Sequence, residues 1–306
     1  MKIDLVYTYV NGQDINIKKK RNMFLRDEYA EYNPEIRYES INEIYYSVKS
    51  AIKFLDFINK IYIVTDNQIP NLNEIQERVI IVDHADIIPL KYLPTFNSDV
   101  IESFLHNIPN LSDVFLYNND DCFFLDYLKI NDIISDCGNL NIINNFNINI
   151  LKNKTSEYAK RIVYTYDLIK LFFPQSTLIN NHHTKILRVN TLKYLEQLFS
   201  EDLDMLRKNK FRTLDTIQYL FLAINIDNIL RNNNVINTRE NFLEYHFGNC
   251  DYSPALKSKF SVSRNIKFAC FNSMNESFKV PFCEYINQYL QPTQLKEQGR
   301  LLEQAA

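Results

Sequence analysis

Residues 3–10, Ile-Asp-Leu-Val-Tyr-Thr-Tyr-Val, are β-branched or aromatic with one charge, and Asn11-Gly12 ends the run. Such a segment is a buried strand closed by a turn. Two further apolar runs, 60–65 and 79–82, stop at carboxylates, Asp66 and Asp83. A fourth, 114–117, runs into Asn118-Asn119-Asp120-Asp121. Between these runs the period changes. Ile44, Val48, Ala51, Ile52 and Leu55 predict a helix over 40–57, with Ser40 and Glu43 as a capping box. Residues 98–107 predict another. Continuous apolar strands separated by helices imply a mostly parallel central sheet covered on both faces. Ligands of such sheets bind at the carboxyl ends of the strands. Asn11, Asp66, Asp83 and Asn119-Asp120-Asp121 would therefore gather at one edge.

Further along, 139–149 alternates polar and apolar residues, as a half-exposed strand does, and 258–272 alternates again. Helical stretches are predicted at about 154–173, 189–200 and 213–228, with asparagine-rich loops at 231–241. The chain thus divides into an α/β core over 1–150, a mainly helical part over 151–290 and a polar tail over 291–306. The run Lys18-Lys19-Lys20-Arg21 reads as a solvated face, with an anionic surface as the sharper alternative.

Composition narrows the chemistry. The 306 residues carry 34 Lys+Arg against 37 Asp+Glu, a net charge of -3, which argues against a nucleic-acid binder. Only four glycines occur, Gly12, Gly138, Gly248 and Gly299, too scattered for G-x-G-x-x-G or a Walker A loop. Phosphate would have to be held by side chains or a metal. The five cysteines, Cys122, Cys137, Cys250, Cys270 and Cys283, include no C-x-x-C pair, so no zinc site of common spacing is expected. Reduced thiols and a cytoplasmic location follow. Met1-Lys2-Ile3-Asp4 leads straight into a strand without a signal-peptide core. No apolar run reaches the roughly 18–20 residues of a membrane span, so a membrane contact would be peripheral, at the inner face.

Three groups can do chemistry. Asp120 and Asp121 repel unless a cation neutralises them, and a hard divalent ion is the natural partner; an acidic turn is the plainer reading. His182-His183 offers an imidazole near neutral pKa as a base, or a hydrogen-bonded loop element. Arg212 can clamp a phosphoryl group, or pair with Asp215 at a helix start.

The residues also carry a resemblance. Ile3–Asp14, with Asn11-Gly12-Gln-Asp14, is similar to the first conserved block of the Stealth family of capsule and exopolysaccharide hexose-1-phosphate transferases. The second block resembles residues from Arg37 through Asp66, His84, Asn97 and Glu102 to Asn119-Asp120-Asp121-Cys122-Phe-Phe124. The third resembles His182 with Phe211-Arg212 and Asp215, and the fourth resembles Phe268–Asn272. Thr184 stands where the family often has proline, and Ser273 where an aspartate commonly follows.

The resemblance implies a fold like that of nucleotide-diphospho-sugar transferases (GT-A-like). It also implies transfer of a sugar 1-phosphate from a UDP-hexose or UDP-N-acetylhexosamine to an oligosaccharide or lipid-linked glycan. Asp120 and Asp121 would hold Mg²⁺ or Mn²⁺, Arg212 would stabilise the phosphoryl oxygens, and His182 would take the acceptor proton. Tyr7, Thr8, Thr65 and Asp66 would seat uridine in the 1–150 core, while Asn97 and Glu102 orient the sugar or metal shell. Asn11, Gly12, Asp14, Arg37, Asn119, His183 and Asn272 complete the implied substrate contacts. A metal-dependent glycosyltransferase that releases UDP is the competing enzyme, and a non-catalytic carbohydrate binder the competing class. Oligomeric state stays open.

Overall fold

The computed structural model describes residues 1–31, 33–144, 156–180, 183–237, 242–246, 253 and 266–291. Its centre is a five-stranded sheet of order β3-β2-β1-β4-β7, made of Ile3–Thr8 (β1), Ile58–Thr65 (β2), Val79–Asp83 (β3), Val114–Asn119 (β4) and Lys185–Arg188 (β7). β1, β2, β3 and β4 are parallel, and β7 runs antiparallel against β4. This is the expected mostly parallel sheet with helices on its faces. Ile3, Leu5, Val6 and Tyr7 of β1 are all fully buried. Burial of each of the three aliphatic side chains among them contributes about 1.5–3 kcal/mol.

After β4 the chain turns through Asp120-Asp121 into Cys122–Phe124 (β5), which leaves the central sheet. β5 pairs antiparallel with Phe268–Asn272 (β10), and β10 pairs parallel with Phe242–His246 (β9). A third, two-stranded sheet joins Asn141–Asn144 (β6) to Asn234–Asn237 (β8). The acidic turn therefore stands where the backbone passes from one sheet to another.

Helix Glu43–Phe54 packs Ile44, Val48 and Ala51 into the core. Its small polar residues face the sheets. Ser47 Oγ donates to the Cys122 carbonyl and lies 3.1 Å from the Tyr7 hydroxyl, and Ser50 Oγ accepts the Phe124 N–H at 3.0 Å. The expected capping box does not form. The helix starts at Glu43 after Asn42 in left-handed backbone, and the Glu43 carboxylate accepts from Ser40 Oγ and Ile41 N instead. Helix 98–107 is shorter than its pattern, Ser98–Glu102 followed by a 3-10 turn Leu105–Asn107.

In the later part, helix Glu157–Phe172 agrees with the reading. The stretch 189–200 is Val189–Leu198, followed by a second helix Ser200–Lys208. The stretch 213–228 becomes helical later than its pattern, at Tyr219, and runs to Arg231, and a further helix spans Lys279–Leu290. The alternation at 139–149 is a strand over Asn141–Asn144, its remainder lying outside the described residues. Most of 258–267 and the tail 292–306 also lie outside them. Among the described residues no helix is long and apolar enough to cross a membrane. Arg21 corrects the solvated-face reading of the basic run: it is buried against the Tyr38 ring and donates to Glu35 at 3.0 Å.

Candidate active site

Strand order reverses direction between β1 and β4, the position at which open α/β sheets form a crevice. Asn11 and Gly12 follow β1 on one side, and Asp120 and Asp121 follow Asn119, the last residue of β4, on the other. Gly12 N donates to the Tyr38 carbonyl at 2.6 Å. A Cβ at Gly12 would meet Tyr38 Cβ and O at 2.4 Å, so only glycine lets the two loops touch. Gln68 fastens the same loop to the end of β2. Its amide accepts from Asn11 N at 2.9 Å and donates to Asn11 O at 3.0 Å and to Asp14 Oδ2 at 3.3 Å. Asp14 also caps helix Ile15–Asn22 through Asn16 N. Those hydrogen bonds, Asn16 N first, hold its carboxyl below the usual range.

The acidic side of the crevice has three carboxyls. Burial, then Glu43 and Asp121, push Asp120 well above its ordinary value. Burial pushes Glu43 up to about 7, with Asp121 adding to the rise despite the bonds from Ser40 and Ile41. The Tyr9 phenol is raised too, by burial and then by Asp120. Carboxyls so placed take up protons unless a cation joins them. Asp120 and Asp121, with Glu43 as an unforeseen third acid, offer oxygen ligands of the kind a hard divalent ion takes, while the sulfurs of Cys122 and Cys270 stand within 4.8 Å of an Asp121 oxygen.

The opposite side is basic. Arg161, 2% exposed, donates Nη1 to Glu157 Oε1 at 2.7 Å and Nη2 to Asp99. Each of these carboxylates faces a second arginine. Arg37 Nη2 donates to Glu157 Oε2 at 2.9 Å, and Arg212 Nε lies 4.0 Å from Asp99 Oδ2. Arg212 Nη2 also donates to Ser98 Oγ at 2.6 Å. Its side chain meets Ser98 and Asp99 in place of the Asp215 pairing weighed from sequence. Arg37 is lowered by burial and by repulsion from Arg212, against the pull of Glu157. Two half-exposed guanidiniums held near one another are a ready receptor for an anion.

A path of hydrogen bonds and one electrostatic step links Arg212 to Asn119. Arg212 acts electrostatically on Glu102, which burial pushes up to about 8, Asp99 adding to the rise. Glu102 Oε1 is 3.0 Å from the Tyr117 hydroxyl, which lies 2.9 Å from Asn119 Oδ1 and 2.8 Å from Thr8 Oγ1. Asn119 precedes Asp120. Asn97 caps helix Ser98–Glu102, accepting from Asp99 N at 3.2 Å, and donates to the Phe211 carbonyl at 3.4 Å. Along this carboxyl edge, Thr65 Oγ1, both His84 ring nitrogens, Glu102 Oε2 and Asn118 Oδ1 are buried without a hydrogen-bond partner among the described residues. Such orphans in a native protein call for a ligand or water.

Other residues expected to touch substrate are engaged by groups of the protein itself. Tyr7 is fully buried with its hydroxyl on Ser47. Asp66 is held by Lys20 Nζ at 2.7 and 2.8 Å. His183 is buried, its Nδ1 2.9 Å from the Thr184 carbonyl and its ring stacked on Phe268. Asn272, at the end of β10, accepts from Ser273 Oγ at 3.1 Å. His182 lies outside the described residues. The sequence reading missed Glu43, Arg161, Glu157 and Lys185. Glu157 and Arg161 stand at i,i+4 on one helix, a readable pair signal. Lys185 is a buried lysine on an apolar strand, and burial pushes it down to about 8.

A family model described as Stealth protein CR2, conserved region 2, matches residues 37–142. The capsular polysaccharide phosphotransferase fcs1 of Haemophilus influenzae is 32% identical over 94% of this chain and 83% of its own length. That of Actinobacillus pleuropneumoniae, cps1A, is 34% identical over 71% of this chain and 62% of its own. LcbA of Neisseria meningitidis, another capsular polysaccharide phosphotransferase, is 45% identical over 40% of this chain and 35% of its own. The solved galactosyltransferase LgtC, in complex with donor and acceptor sugar analogs, shares 10% identity at a TM-score of 0.46, over 97% of this chain and 99% of that one. The fcs1 match runs through both the acidic turn and the arginine wall, and on it this chain belongs to the Stealth family of phosphotransferase enzymes.

Proposed function

We propose that this enzyme transfers a hexose 1-phosphate from a UDP-sugar to a glycan hydroxyl in capsule or exopolysaccharide synthesis. The acceptor oxygen bonds to the β-phosphorus, the bond from that phosphorus to the bridging oxygen breaks, and UMP leaves with the bridging oxygen. The observation that carries the reading is the link from Asn119, beside Asp120, through Tyr117 to Glu102, on which Arg212 acts, in a chain without a glycine cradle.

Phosphoryl transfer needs positioning and charge neutralisation more than covalent help. Asp120 and Asp121 would hold Mg²⁺ or Mn²⁺, which when bound offsets the diphosphate charge. Arg212 and Arg37 face the phosphoryl oxygens. Thr8, Asn11, Thr65 and Asp66 seat the uridine, and Asn97 and Glu102 orient the donor sugar. His182, from the family motif, takes the acceptor proton. We place the reaction in the cytoplasm, with exposed Lys18 and Lys19 against the inner face of the membrane.

The test is product analysis with UDP-hexoses and UDP-N-acetylhexosamines, Mg²⁺ and an oligosaccharide acceptor. UMP release with phosphorus retained in the glycan supports the reading; UDP release establishes the glycosyltransferase instead. Arg212→Ala should lower turnover by about 10³–10⁵-fold, as for comparable arginines. Near-normal turnover in a folded Arg212→Ala would remove its role.

A further inference from the structure

Cys122 and Cys270 stand directly opposite one another where β5 pairs antiparallel with β10. Both are buried, and their thiols hydrogen-bond to each other. Cys122 Sγ lies 3.5 Å from Asp121 Oδ1. An Asp121 carboxylate oxygen and the two sulfurs all lie within 4.8 Å of one another.

A tetrahedral zinc ion has Zn–S bonds of about 2.3 Å and Zn–O bonds of about 2.0–2.2 Å. It therefore separates a sulfur from an oxygen by about 3.5 Å and two sulfurs by about 3.8 Å. The Cys122 Sγ–Asp121 Oδ1 separation of 3.5 Å already matches that figure, and the remaining separations are within 4.8 Å. Two thiolates select a soft cation over Mg²⁺. Lys185 bears on the same sulfurs, and its Nζ donates to the His183 carbonyl at 3.0 Å. A dication must overcome that ammonium, which favours one that bonds strongly to sulfur.

We propose that Asp121, Cys122 and Cys270 form a binding site for Zn²⁺ or a similar thiophilic dication, and that its occupancy inhibits the enzyme. The ion binds one carboxylate and two thiolates, two thiol protons pass to solvent, and water completes the fourth position. Asp121 is thereby withdrawn from the hard cation. The inhibitory half rests on the proposed role of Asp121 in transfer; the site itself does not.

The two halves are read separately. Co²⁺ titrated into the reduced, chelator-stripped full chain, with no nucleotide sugar present, should bind one equivalent and give a thiolate-to-cobalt charge-transfer band in the near ultraviolet. Cys122→Ser and Cys270→Ser should each weaken binding by at least the roughly 10–100-fold that even an outer-shell change costs. Cys137→Ser, at an exposed thiol, should leave the band intact. Circular dichroism checks that each variant is folded. In the transfer assay, Zn²⁺ far below the Mg²⁺ concentration should abolish turnover, a chelator should restore it, and Cys270→Ser should resist.

Absence of the band in wild type, or its survival in both serine variants, overturns the site. A cobalt band together with full turnover of the zinc-loaded enzyme overturns the inhibitory role. Should no UDP-sugar be consumed at all, the transfer reading fails while the cobalt band still decides the site.

Discussion

Arg161→Met isolates the energetic centre of the basic wall. Arg161 and Asp99 are each 2% exposed and Glu157 is 6% exposed, so the variant leaves two buried carboxylates short of their common partner. Asp99 keeps the Tyr219 N–H at 2.9 Å and the more distant Arg212, while Glu157 keeps Arg37. Breaking a buried ion pair by removing one member costs about 3–5 kcal/mol, against roughly neutral cost when the whole set becomes apolar. At a urea m-value of about 3 kcal/mol per M, the midpoint should fall by roughly 1–1.7 M. The sign with pH follows from Glu157. Burial raises its carboxyl, but Arg161, Arg212 and Arg37 outweigh burial and hold it below the ordinary range. In wild type it therefore adds stability above its unfolded pKa, lost as pH falls through the folded one. In Arg161→Met the carboxyl rises, and the variant loses stability as pH climbs. Urea unfolding at pH 7.5 and pH 5 should show a large deficit at the first and a smaller one at the second. A deficit below about 1 kcal/mol, or one equal at both pH values, would refute the hub.

Two further variants probe the crevice. Gly12→Ala drives a Cβ into the Tyr38 backbone, so it should cost about 1–3 kcal/mol and raise KM for the donor as the Asn11 and Arg37 loops part; thermal melts within 0.5 kcal/mol of wild type would contradict this. Glu102, pushed up to about 8, has a folded pKa above its unfolded value, so it contributes stability at low pH that is lost as pH rises toward 8. Glu102→Gln should gain roughly 1–3 kcal/mol on wild type between pH 5.5 and 8, and parallel stability curves would sink the assignment.

What the sequence disclosed was local. β1, β2, β3 and β4 announced themselves as short β-branched runs, and their polar stops mark the edge where Asn11, Asp66 and Asp120 stand. The Asp120-Asp121 turn was legible as a pair of carboxylates closing an apolar strand, where the chain passes from β4 to β5. Glu43 was legible only as an acid. Spacing from Ser40 suggested a cap, whereas its burial beside residues 120 and 121 depends on how helix Glu43–Phe54 lies on the sheets. Arg212 shows the same limit, since Asp215 is near in sequence but Ser98 and Asp99 are near in space. The cysteine count spoke against a zinc site because ligand spacing rules see neighbours along the chain. Cys122 and Cys270 meet only through the pairing of β5 with β10. Periodicity reports which face of an element is apolar; it carries nothing about which distant charge that face will meet.

Tyr117 ends with a count of protons. Its phenol has one hydrogen to give and room to accept two, yet Glu102 Oε1, Asn119 Oδ1 and Thr8 Oγ1 all reach it. While Glu102 is protonated, it donates to the phenol, the phenol donates to Asn119, and the threonine hydroxyl gives the third bond. Once Glu102 ionises, it claims the phenolic hydrogen, and the Asn119 amide must rotate to present NH₂ instead of oxygen. The charge of one buried acid is thereby written into the orientation of the amide next to Asp120, with no movement of the main chain.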